Sequence, residues 1–117
     1  MSKKILIIDD EDDIVVFLET LFQKAGYDTA VARNGMEGME KIKSEAPDLI
    51  TLDLQMPKNT GTDLYRNIRR NDQYNKIPIV VISGLPGREL ALPRPLAVFE
   101  KPIDKEELLK TIQDAIG

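Results

Sequence analysis

The chain has no cysteine and no histidine. Without cysteine there is no disulfide, no thiolate nucleophile and no zinc-finger spacing. Without histidine there is no Ser-His-Asp or Cys-His catalysis, no imidazole ligand for a metal and no phosphohistidine on this chain. Aromatics make up only 5% of the residues, so the core must be mainly aliphatic. Long apolar runs are missing as well. A membrane helix needs about 20 apolar residues, and Met1-Ser2-Lys3-Lys4 leads into only the short run Ile5 to Ile8. That run does not make a signal peptide either. A cytoplasmic location with no membrane partner is therefore expected. Positive charge is in deficit, with 16 Lys and Arg against 20 Asp and Glu. A nucleic-acid binder normally shows a basic face, so no nucleic-acid partner is expected.

What is present fits one domain of 117 residues. Residues 4–9 are short, continuous and isoleucine-rich, as in a strand buried on both faces. Ile14, Phe17, Leu18, Leu21, Phe22 and Ala25 then fall at helical spacing, with Asp12 as N-cap and Gly26 as stop. A second strand is read at 28–32. Asn34 and Glu37 form a capping-box pattern opening a helix with Met36, Met39 and Ile42 on one side. Residues 48–52 make a third strand. Gly61-Thr62 opens a helix carrying Leu64 and Ile68, and Gly61 is read as supplying a positive φ. Arg66, Arg69 and Arg70 read as its solvated face. Residues 79–82 and Ala97 to Phe99 are the last strands. Asp104 with Glu107 caps a final helix lined by Leu108, Leu109, Ile112 and Ile116.

Strands alternating with helices predict an α/β fold, a doubly wound parallel sheet with helices on both faces. With five strands the expected order is 2-1-3-4-5, and ligands bind beyond the carboxyl ends of strands 1 and 3. Asp9, Asp10 and Asp53 stand at those ends. Ser83 ends the fourth strand, and Lys101 follows the fifth. Two carboxylates about 4 Å apart repel by roughly 4 kcal/mol at an effective dielectric near 20. Clustered acids therefore need a compensating charge. Oxygen ligands alone select a hard cation, Mg²⁺ or Mn²⁺. Beside such an ion Asp53 can act as a carboxylate nucleophile toward a phosphoryl donor. Lys101 would balance charge on the phosphoryl oxygens, and Ser83 would donate its hydroxyl to them.

The Asp-Asp-Glu after strand 1, Asp53 with Pro57 and Gly61 beyond it, Ser83-Gly84 and Lys101-Pro102 together resemble the receiver domain of bacterial two-component response regulators. The resemblance spans nearly the whole chain. It implies a flavodoxin-like fold over residues 1–117, one stand-alone receiver domain with no output domain. It implies that Asp53 accepts phosphate from a histidine kinase or histidine phosphotransfer protein and signals to a further protein target. Asp10 and Asp53 would bind Mg²⁺ directly, Asp9 through water, and Gln55 through its backbone carbonyl. The Lys101-Pro102 peptide would be cis. Such a domain is not an enzyme acting on a separate substrate, although it hydrolyses its own aspartyl-phosphate.

Several residues depart from the family pattern. Gly84 stands where alanine is usual and would open access to the phosphoryl site. The switch aromatic expected three residues before the lysine is Val98, and Phe99 is read as core. Pro86, Pro93 and Pro95 leave a shortened or irregular fourth helix between strands 4 and 5. These departures motivate an alternative, a constitutive protein-interaction module whose readout does not depend on phosphorylation. A flavin or nucleotide binder of the same topology needs a glycine- and hydroxyl-rich loop after strand 1. The acids from Asp9 to Asp13 argue against one.

Overall fold

The computed structural model describes residues 2–56, 60–84 and 95–117. Its strands are β1 (Lys4–Ile8), β2 (Asp28–Ala32), β3 (Leu49–Asp53), β4 (Ile79–Ser83) and β5 (Ala97–Glu100). Its helices, among the described residues, are α1 (Asp12–Lys24), α2 (Gly35–Glu45), α3 (Thr60–Arg70) and α4 (Lys105–Ile116). Every strand pairing is parallel, and the sheet order is β2-β1-β3-β4-β5, as expected. The shortened fourth helix expected between Leu85 and Leu96 lies mostly outside the described residues, as does Pro57.

The strand sequences follow from burial. β3 and β4 are buried along their whole length, which is why they carry no polar alternation. β2 is an edge strand with only Ala32 fully buried, so its pattern is weak. One layer packs Ile42 of α2 and Leu64, Tyr65 and Ile68 of α3 on Leu6, Ile8, Ile50, Leu52, Ile79 and Val81. The other packs Val15, Leu18 and Phe22 of α1 and Leu108 and Ile112 of α4 on Ile5, Ile7, Leu49, Val80 and Ile82. Alternation thus sends even and odd positions of each strand to different helix layers. Phe99 joins the α1–α4 layer as core, and Val98 faces the other.

Helix ends are set by specific groups. α1 closes in a Schellman motif: Gly26, at φ 95°, donates to Gln23, and Tyr27 donates to the Phe22 carbonyl. The Asn34 side chain accepts the Glu37 N–H at 2.8 Å. The Asp104 side chain accepts from Glu106 and Glu107 at 3.1 and 3.2 Å.

Four local readings change. Glu11, not Asp12, is the N-cap of α1, and it makes no side-chain cap bond. Asp12 is the first helical residue, and its carboxylate pairs with Arg33. Met36 is 78% exposed, because the Asn34 cap sets a phase that turns Gly38 and Ile42 inward. Arg69 is not part of a purely solvated face. Its guanidinium lies 5.0 Å from the centre of the Tyr65 ring and donates to the carbonyls of Asn75 and Ile77. Gly61 has no positive φ. A Cβ there would run into the Asp53 carbonyl oxygen and lie 3.0 Å from the Leu54 Cα, so glycine is needed for close approach.

Candidate metal and phosphoryl site

β1 and β3 are neighbours, with Ile8 opposite Leu52. That register carries Asp9, the next residue, level with Asp53. Asp10 and Glu11 follow in the turn before α1. Carboxylate oxygens of Asp9, Asp10, Glu11 and Asp53 all lie within 4.8 Å of one another. Asp9 and Asp53 are buried, while Asp10 and Glu11 are exposed. Two turns fix the buried pair. Asp9 Oδ1 accepts the Glu11 N–H at 2.9 Å, and Asp53 Oδ1 accepts the Gln55 N–H at 2.8 Å.

The second oxygen of each buried acid is left out of these turns. Asp9 Oδ2 and Asp53 Oδ2 find no hydrogen-bond partner among the described residues. Lys101, reaching in from the end of β5, places Nζ 3.7 Å from Asp53 Oδ2 and 3.2 Å from Glu11 Oε1. The Lys101-Pro102 peptide is cis. Strand alternation puts Asp9, Asp53 and Lys101 on the α1–α4 side of the sheet edge. Ser83 is buried at the end of β4, opposite Glu100, and its carbonyl accepts the Lys101 N–H at 3.2 Å.

The electrostatics match this crowding. Burial pushes the Asp9 carboxyl up to about 7; the Glu11 N–H pulls it down, and the Asp53 charge pushes it up again. Asp53 is raised by its burial, against the Gln55 N–H and the Lys101 charge. Lys101 is opposed by its own burial, yet the carboxylates of Asp53, Glu11 and Asp9 raise it overall. Among the described residues, four carboxylates thus face one ammonium. Buried oxygens without hydrogen-bond partners among the described residues, in a donor set made only of oxygen, fit a small hard divalent cation.

Two contacts at the site have no local signal of their own in the sequence. Glu11 enters the cluster; its only signal was its place in the acidic run. The Gln55 side chain matters as well as its backbone. Its Oε1 accepts the Gly84 N–H at 2.9 Å. The space that an alanine methyl would take at position 84 is therefore filled by the Gln55 carboxamide. Gly84 does not simply open the site, because a longer side chain closes over it.

Residues 5–113 match the response regulator receiver domain family. The sporulation initiation phosphotransferase F of Bacillus subtilis is 32% identical over 121 residues, covering 99% of this chain and 92% of that protein. The polar-differentiation response regulator DivK of Brucella anthropi is 26% identical over 121 residues, covering 100% of this chain and 98% of that protein. Among solved structures, the response regulator signal receiver domain from Bermanella marisrubri matches with a TM-score of 0.89 at 32% identity, covering 100% of both chains.

Proposed function

The chain belongs to the response regulator receiver domain family, and from that premise we propose that it accepts a phosphoryl group on Asp53 and passes the signal to a protein partner. Receiver domains are signalling modules, and no helix among the described residues is long and apolar enough to cross a membrane. The donor we assign is a phosphohistidine on a histidine kinase or histidine phosphotransfer protein in the cytoplasm. An Asp53 carboxylate oxygen attacks phosphorus, the phosphorus–nitrogen bond breaks, and the departing imidazole takes up a proton. Water later attacks the same phosphorus, releasing inorganic phosphate and restoring Asp53. That is self-dephosphorylation, not turnover of a separate substrate. Residues 1–117 act as one receiver unit in this scheme.

The observation that carries the reading is the buried Asp53 Oδ2, which accepts no hydrogen bond among the described residues and has Lys101 Nζ at 3.7 Å. A nucleophile needs a free lone pair, and the product needs a cation within reach. Asp9, Asp10, Asp53 and the backbone carbonyl of Gln55 would hold Mg²⁺, or Mn²⁺ in its place. Bound there, the ion supplies positive charge for the phosphoryl oxygens. Lys101 supplies a second, flexible positive charge, and Ser83 a hydroxyl donor at the neighbouring strand end. Phosphorylation adds charge near −2 at the edge of the sheet and biases the loops around it.

The test is phosphoryl labelling by acetyl phosphate with Mg²⁺, read by mass. We expect one labelled site, lost on chelation and lost in Asp53→Asn. Undiminished labelling of that variant removes Asp53 as acceptor.

Val98 favours a second reading, a constitutive interaction module. Its aliphatic side chain stands on the α2–α3 side where the resemblance leads one to expect an aromatic switch. A partner bound equally with and without beryllofluoride and Mg²⁺ would select this second reading. A tenfold difference would dismiss it.

A further inference from the structure

We propose that the Gln55 side chain is a built-in competitor for the backbone donor that faces a phosphoryl group on Asp53, and so sets how readily this chain takes its phosphorylated form. The inference rests on Asp53 as the acceptor.

The donor is the N–H of Gly84. Its direction follows from the ladder. The Ile82 carbonyl accepts from Leu54, so it points toward β3; the Ser83 carbonyl accepts from Lys101, so it points toward β5. Backbone groups alternate sides along a strand, and the Gly84 N–H therefore turns back toward β3. It is the first β4 donor beyond the last β3–β4 bond, and it aims at the exit of β3, where Asp53 stands. Gly84 is exposed, at the open end of β4 beside the exit of β3.

That donor is occupied. Gln55 Oε1 accepts it at 2.9 Å, across 29 positions of sequence. A Cβ on Gly84 would sit on the carboxamide, 3.0 Å from Cδ and 3.3 Å from Nε2. Glycine at 84 and glutamine at 55 are therefore a matched pair. The same residue's N–H holds Asp53 Oδ1 at 2.8 Å, so the competitor is tied to the acceptor it guards. A phosphoryl group offers three charged acceptor oxygens, and bonds to ionised acceptors are roughly twice as strong as neutral ones. Phosphorylation would take the Gly84 N–H and free the carboxamide, which moves the start of the loop after β3. Gln55 is a positioning residue here, acting through Gly84.

The experiment titrates beryllofluoride with Mg²⁺ into the full chain, followed by amide NMR, for wild type, Gln55→Ala, Gly84→Ala and the double variant. In wild type the Gly84 amide and the Gln55 side-chain amide should both shift on binding. Gln55→Ala removes a neutral hydrogen bond that binding must break, so it should bind about three- to tenfold tighter. Without beryllofluoride its Gly84 amide should exchange faster with solvent than in wild type. Gly84→Ala displaces the carboxamide and should act in the same direction. The double variant should gain no more than either single one, because both delete one contact. Unchanged or weaker binding by Gln55→Ala, an unmoved Gly84 amide, or additive effects would overturn the inference. Failure of wild type to bind, matching Asp53→Asn, would instead sink the assignment of Asp53.

Discussion

Asp9→Asn should make the ion-free protein more stable while weakening its hold on a divalent ion. Asp9 is 1% exposed, and its carboxyl is pushed from 3.8 to about 7, first by burial. In the unfolded chain the proton leaves near 3.8; in the fold it stays until about 7. Between those values the native state binds more protons than the unfolded state, so stability falls as pH rises. Below the unfolded value the cost is absent, and above the folded value it is fully present. A change of that size corresponds to roughly 4 kcal/mol. Asp53 is raised in the same cluster, so the titration belongs to the pair.

Asparagine keeps an Oδ1 acceptor for the Glu11 N–H, which Asp9 now accepts at 2.9 Å. The measurement is urea unfolding with EDTA from pH 4 to 8. Asp9→Asn should exceed wild type by about 2–4 kcal/mol at pH 8, with the gap closing toward pH 4. The absence of histidine makes this readable, because few other side chains titrate in that window. With Mg²⁺ at 100 times its Kd, wild type should recover about 2.7 kcal/mol, and the variant less at the same concentration. A flat wild-type profile from pH 5 to 7, or a variant less stable than wild type at pH 8, would refute the reasoning.

Gly61→Ala should cost about 1–3 kcal/mol by urea unfolding, since its Cβ would meet the Asp53 carbonyl and the Leu54 Cα; a gain of about 1 kcal/mol, as at a free helical glycine, would contradict the close approach. Thr51→Val should stabilise by about 1 kcal/mol, because the Thr51 hydroxyl is buried without a partner among the described residues. Asp104→Ala should cost about 1 kcal/mol in the same assay by leaving the first N–H groups of α4 uncapped.

The order of elements was legible because each rests on local chemistry. Ile5 to Ile8 and Ile79 to Ile82 are apolar runs too short for a helix and too continuous for an exposed strand. Asn34 and Asp104 announce helix starts through side chains that reach only two or three residues. Strand alternation also read Phe99 as core. Local signals failed where two causes favour the same residue. Glycine at 61 suits a positive φ or a tight contact, and only the proximity of Asp53 distinguishes them. Arg69 looked solvated because its carbonyl partners, Asn75 and Ile77, lie beyond the helix end.

The sequence alone determined a parallel α/β sheet and the placement of Asp9, Asp10, Asp53, Ser83 and Lys101 at strand ends. Periodicity and chain direction suffice for that, because parallel strands share one carboxyl edge. Only the tertiary structure decided which buried oxygens accept no hydrogen bond among the described residues, that Glu11 shares Lys101, and that Gln55 closes over Gly84. Those facts depend on distances of a few ångströms between side chains far apart in the chain. They arise when the sheet and its helices pack, and no local pattern of residues encodes them.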